Sequence, residues 1–391
     1  QVQGNGRGAW LRAGEAARTG MLPNLGSLGS AGRGPLPLGS LAQLSEGLRH
    51  LQHDVRRDRA LEDDLSSHYS GLSEEERSEA SALLADAERL FADEDGVGAF
   101  EKANEALTLL QDDKVGMIEA QKLVVSAQRL QGRMAAAIDT AKACLKSCEE
   151  EGNARGEVGM LTSLVELALS RGHAEEALEF LSQAEDKCAQ LQDPKLSCDL
   201  SLTACNVHMA LDNPGDAVIA AEEVLQGCQV RGDEHGEARA LLAKAQARFA
   251  EGYCREGEEL CDAALPLARK LGSERLQISI LLTLSSALID GGAARARQLA
   301  TESLELCKNI GFARGESLSL YHLVLANVEL GSPGEAFQLA TGAVQRFEGK
   351  GKERCRAWAQ DALSQAHLLS HSKRDALKAA WAGMELLQGV G

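Results

Sequence analysis

Ten cysteines are the first residues in this chain that could do chemistry, and their spacing argues against most of what thiols do. No C-x-x-C pair occurs, and Cys144 and Cys148, one helical turn apart, have no further Cys or His at ligand spacing. No metal site is expected. His208 has no carboxylate or cysteine at a suggestive separation, so we expect it to pack. DEDG at 93–96 looks like part of a calcium loop, but in that register the first ligand position is Phe91 and the twelfth Lys102, both wrong for an EF-hand. GNGRG at 4–8 has neither the strand before it nor the helix pattern after it that a phosphate loop requires. Without a nucleophile motif or a paired acid and base, the expectation is no catalytic residue, no metal and no cofactor, hence no enzyme.

What the sequence does position is a unit of about forty residues. Gly132, Gly172, Asp212, Gly252, Gly291, Gly331 and His371 follow one another at steps of 40, with one step of 39. Five residues after each come Ala137, Ala177, Ala217, Gly257, Ala296, Ala336 and Ala376, which marks a recurring close contact. Such a period means a stacked solenoid. Each unit reads as a helix, a tight turn and a second helix. Pro214 and Pro333 stand in the first turn of the second helix, where no backbone donor is needed. Asp216, Glu176, Glu256, Glu335 and Asp375 favour the same helix starts through the dipole. Gly152, Gly232, Gly272, Gly311 and Gly351 close most units as C-caps. Pro266 falls inside a second helix and should bend it or end its regular hydrogen bonding. Cys148, Cys188, Cys228 and Cys307 share one position of the unit, where Ala268 and Phe347 stand in two others; they read as reduced packing residues.

Composition agrees with an all-α chain: aromatics are 3% of its 391 residues and prolines number 7, so Ala and Leu carry the hydrophobicity. Residues 1–60 hold 8 Arg, no Lys and 4 acids, leaving 33 basic against 54 acidic residues elsewhere. An acidic body repels phosphate, so nucleic acid is not an expected partner. The longest apolar run, Ile278 to Ile289, is too short to span a bilayer, and no membrane insertion is expected. Residues 1–39, with Gly at ten positions, read as a disordered arm. Its Arg18 and Arg33, without acid between Ala16 and Ser45, give an organellar alternative to the cytoplasmic location that reduced cysteines imply. Residues 40–72 carry an amphipathic stripe, Leu41, Leu44, Leu48, Leu51 and Val55, suited to docking on the solenoid. Ser73 and Glu76 form a capping box that opens the repeat region, 73–391, with one irregular unit before seven regular ones.

SRGHAEEAL around Ala177, LGSPGEAFQL around Ala336, and the second small residue seven positions on (Cys144, Ala184, Ala264, Ser303, Ala343, Gly383) resemble the tetratricopeptide repeat. The forty-residue step, with its extra turn in GNARGEV and GFARGES, is similar to the longer variety in Pins/LGN-type adaptors, kinesin light chains and MalT-type regulators. The usual first-helix Tyr is replaced by Gln128, Ala168, His208, Arg248, Asn327 and His367. The resemblance implies a right-handed α-solenoid of stacked helix-turn-helix repeats, its concave face lined by first helices and gripping an extended or helical peptide. Mapped onto this chain, the groove candidates are Leu202, Asn206, Gln246, Leu282, Tyr321, Trp358, Asp361 and Gln365. The amides would bond a peptide backbone, and the aromatics would anchor it. The acidic body favours a protein or peptide partner with some Lys or Arg. The leading expectation is a non-enzymatic interaction scaffold or adaptor. The alternative is a sensory or regulatory domain of a larger enzyme or signalling protein, prompted by the missing initiator Met. The chain's end at the last second helix leaves an apolar surface, Trp381 included, to be covered.

Overall fold

The computed structural model describes residues 74–389 except 111–112 and 350–351, all within the unit Gln43–Gly391. The 1–39 arm, the 40–72 stripe, the Ser73 cap and Gly351 lie outside the described residues. Helices begin where a side-chain acceptor meets otherwise unpaired backbone donors. Asn153 accepts from Gly156 N at 3.0 Å, Asp193 from Leu196 N at 3.1 Å, and Asp233 from Gly236 N at 3.0 Å. These caps recur every forty residues. Helices end on left-handed residues: the markers Gly132, Gly172, Gly252 and Gly331 all have positive φ, and Asp212 and His371 adopt φ 59 and 58 in their place. At those two positions a side chain occupies a conformation that glycine reaches without strain.

Fifteen helices result among the described residues, and no strand. An irregular hairpin, α1 (Glu74–Ala92) and α2 (Gly96–Leu109), comes first. Four regular hairpins follow: α3 (Lys114–Leu130) with α4 (Met134–Glu151), α5 (Ala154–Ser170) with α6 (Ala174–Leu191), α7 (Pro194–Ala210) with α8 (Pro214–Arg231), and α9 (Glu234–Glu251) with α10 (Cys254–Lys270). In the fifth regular unit both helices run together as α11 (Glu274–Ile310), broken at Gly292 by φ −145 and ψ 40. This is the unit of the 39-residue step, so the expected tight turn at Gly291 is here a kink one residue on. The last hairpins are α12 (Ala313–Glu329) with α13 (Pro333–Arg346), and α14 (Glu353–Leu369) with α15 (Lys373–Gly389).

One expectation is corrected and another made specific. Pro266 removes one helical hydrogen bond without ending its helix, because α10 continues to Lys270. Pro266 lies only four residues from that end, so the missing donor affects the last full turn, while Leu265 and Ala268 stay packed. The α11 helix is also long and apolar enough to cross a bilayer by length and composition, at a hydropathy of 1.4. Its length, however, joins two helices, and Ile278, Ile280, Leu281 and Leu284 are fully buried in the stack.

Packing between units explains the recurring small residues. Ala137, Ala177, Ala217, Ala296 and Ala336 have no exposed surface. At Gly257, the exception, a methyl group would lie 2.6 Å from the Phe249 ring. The cysteine position is matched in three units by a glycine eight residues on: a methyl at Gly156, Gly236 or Gly315 would lie 2.7, 2.5 or 2.7 Å from the Sγ of Cys148, Cys228 or Cys307. Sulfur fills what glycine leaves open, a size match that close packing enforces.

First helices pack on one another along the stack, α1 on α3, α3 on α5, α5 on α7, α7 on α9, α9 on α11 and α12 on α14. The crowded row lies inside the curvature, so first helices form the inner face. The stack also closes on its own beginning. The α1–α2 turn reaches the starts of α12 and α14: Arg314 Nε donates to Glu94 Oε1 at 2.6 Å, and Lys352 Nζ to Asp93 Oδ1 at 2.9 Å. Arg314 also lies over the Phe91 ring at 5.6 Å. Arg354 donates to the Arg129 carbonyl at 3.3 Å. Ala92 enters one apolar cluster with Ile278, Leu282, Phe312 and Leu318, with Trp358 packed against it.

Candidate peptide-binding face

Along the inner face, side chains four residues apart on one first helix point the same way, and the forty-residue step brings equivalents alongside. Asn206 and Gln246 are half-buried on α7 and α9. The Gln246 amide donates to Thr283 Oγ1 at 3.1 Å, linking α9 to α11. Trp358, Asp361 and Gln365, also half-buried, share α14. Three other candidates are covered: Leu202 and Tyr321 are nearly so, and Leu282 has no exposed surface. The expectation that these three line an open groove does not hold in this conformation. Leu282 lies in the same cluster as Ala92, the residue that leads into the α1–α2 turn.

Tyr321 and Asp361 occupy equivalent positions in successive units, and the phenol donates to Asp361 Oδ2 at 2.8 Å. Burial, with the neighbouring carboxylate, pushes the Tyr321 phenol well up. Burial likewise raises the Asp361 carboxyl, partly opposed by the bond from Tyr321. The phenol therefore keeps its proton and acts as a donor, tying α12 to α14. His208 is less isolated than its sequence neighbourhood implies. Its Nδ1 is 4.0 Å from Asp216 Oδ2, and the Glu185 carboxyl, raised by burial, is drawn back down by His208. Both carboxylates arrive from other helices of the stack, so sequence spacing gave no sign of them.

Sequence reading also missed a row of basic residue types. Arg155, Lys195, His235, Arg275, Arg314 and Arg354 are each the second residue of a first helix. The repeated ARGE at 154–157 and 313–316 was its visible trace. The row lies along one edge, where Arg155 approaches Asp193 at 3.6 Å and Arg275 lies over the Phe312 ring at 5.7 Å. At Arg314 this edge receives the opening hairpin, and at Arg354 it meets the end of α3. The carboxylates of DEDG thus have partners within the chain: Asp93 has Lys352, Glu94 has Arg314, and Asp95 caps α2 through Gly98 N. A separate cavity of about 630 Å³ lies between the end of α11, α12 and α13. Its Glu316 carboxylate is held by Arg346 at 3.0 and 3.3 Å. Glu157 and Lys187 form the same kind of pair four hairpins closer to the N-terminus of the stack, so it reads as a clamp within the unit.

No family model matches the chain, and no curated protein matches it in sequence. Solved structures do match in fold. The tetratricopeptide-sensor STAND protein PH0952 from Pyrococcus horikoshii superposes with a TM-score of 0.54 at 13% identity, over 88% of this chain and 53% of its own. Aspartyl phosphate phosphatase F from Bacillus subtilis gives 0.54 at 9% identity, over 93% and 98%. The apo quorum sensor NprR from B. thuringiensis gives 0.53 at 12% identity, over 89% and 99%. The chain is an all-α, tetratricopeptide-like solenoid of right-handed, stacked helical hairpins. It spans about half the length of the Pyrococcus protein.

Proposed function

We propose that this solenoid is a non-enzymatic interaction scaffold that holds a partner peptide along its inner face. The observation that carries the reading is a continuous row of first helices presenting half-buried polar side chains, Glu166, Asn206 and Gln246, on α5, α7 and α9. Amides in such a row hydrogen-bond an extended backbone whatever its sequence. A Rap protein of similar fold, TM-score 0.50 at 10% identity, has been crystallised in complex with competence and sporulation factor. The far end of the face, around Leu282 and Trp358, is taken by the chain's own opening hairpin. The stretch left to a partner is therefore α5 to α9. Net charge −17 favours a partner bearing Lys or Arg.

A phage-displayed library of random peptides, selected on the whole chain, tests this. Enriched peptides are expected to be rich in Lys or Arg, to bind more weakly as salt rises, and to lose at least about fivefold in affinity to the Asn206→Ala/Gln246→Ala variant. Enrichment of none, or of peptides indifferent to that variant, counts against the reading. A second reading, the sensor domain of a larger signalling protein, is favoured by the likeness to PH0952, whose tetratricopeptide sensor is part of a longer chain.

A further inference from the structure

Across the open end of the α7–α8 hairpin, Cys198 and Cys228 bring their Sγ atoms to 3.1 Å. The Arg231 guanidinium lies 3.3 Å from the first sulfur and 3.5 Å from the second. The position held by Cys198 is filled by Ile118, Val158, Ala238, Ile278, Ser317 and Ala357 in the other regular units. The pair is thus a feature of one hairpin, set into a row that otherwise holds apolar or small residues. We propose that Cys198 and Cys228 are an oxidation site, a dithiol that a hydroperoxide converts to an intramolecular disulfide linking the second turn of α7 to the last turn of α8.

The two thiols are unequal. Cys198 is partly exposed beside the guanidinium, whereas Cys228 is fully buried. Burial, then the hydrogen bond with Cys198, push the Cys228 thiol up to about 12. Cys228 keeps its proton, and the partly exposed Cys198, which reacts as the thiolate, is the sulfur a peroxide can reach. That thiolate attacks one peroxide oxygen, the O–O bond breaks, and the leaving oxygen takes up a proton as water (or as an alcohol from an organic peroxide). Cys198 is then a sulfenic acid. The Cys228 sulfur attacks the Cys198 sulfur, the S–O bond breaks, and the hydroxide leaves with the Cys228 proton as a second water. Two thiols lose two electrons, and the peroxide gains them.

The surroundings leave the sulfurs close together. A methyl group at Gly236 would lie 2.5 Å from Cys228 Sγ, so that sulfur fills the space the glycine leaves open. From 3.1 Å, a movement of about 1 Å reaches bonding distance. Leu202 and Asn206 lie one and two turns beyond Cys198 on the same side of α7. The bond would thus fix the helix that carries them, whether or not a peptide binds there.

The test uses the full chain with Cys254→Ser, which removes the exposed cysteine. The reduced protein is treated with hydrogen peroxide, alkylated, and cut without reduction by an Asp-specific protease, which separates Cys198 from Cys228. The expected result is loss of two free thiols per chain, a Cys198–Cys228 linked peptide, and a raised unfolding midpoint. All three should be absent when Cys198→Ser is added, or Cys198→Ala if Ser disturbs folding. Peroxide that leaves both cysteines open to alkylation, or that links either to a different cysteine, overturns the proposal.

Discussion

His322 is the most exacting single residue. It is fully buried, neither ring nitrogen has a hydrogen-bond partner, and its nearest ring, Tyr321, is 6.3 Å away. Burial lowers its pKa from 6.5 to about 3. Between those values the unfolded chain binds a proton that the folded chain refuses. The His322 contribution is therefore complete above about pH 6.5 and declines as pH falls toward 3, by about 1.4 kcal/mol per pH unit. Between pH 7 and pH 5 the chain should lose about 2 kcal/mol more than His322→Leu does, read from urea midpoints; parallel losses would refute this. The equivalent residues, Leu123, Ser163, Thr203, Ala243, Thr283 and Ala362, gave no hint that a histidine could be sealed there. By contrast, the cysteine row was legible, because it answers a local demand for a particular size that recurs every forty residues.

At the scale of the helix, caps and left-handed ends were readable because each is decided within a few residues. The kink at Gly292 and the persistence of α10 through Pro266 were not, since both depend on how neighbouring helices hold the segment. Pro266 is exposed and leaves the Asp262 carbonyl without a helical donor. Restoring that bond is worth up to about 3 kcal/mol, and the unfolded chain regains about 0.4–1 kcal/mol of entropy when proline is removed. The first effect is larger, so Pro266→Ala should stabilise the chain by about 1–2 kcal/mol, measured by chemical denaturation. A lowered midpoint would mean that the proline is matched to its site.

For the whole molecule, the forty-residue period gave the stack but not its closure. Nothing near Arg314 announces a partner 220 residues away, and the covering of Leu282 and Tyr321 went unforeseen with it. Arg314 and Glu94 are almost wholly buried, so removing one charge strands the other at about 3–5 kcal/mol. Glu94→Gln should therefore destabilise the chain by an amount of that order. It should also raise hydrogen exchange at residues 91–95 and enlarge the scattering radius. Exchange confined to the termini would show that the hairpin is not a clasp.

That clasp sets an order in time. During synthesis the α1–α2 turn emerges long before its receptor. At about 5–20 residues per second, the stretch up to Arg314 takes roughly 10–45 s to make. Ala92 and Glu94 pass that interval with their final neighbours not yet made, while Phe91 already has Ala99, Ala127 and Leu130 beside it. A nascent chain of this kind offers an acidic tip to whatever else is nearby, and the late repeats withdraw the offer once they fold.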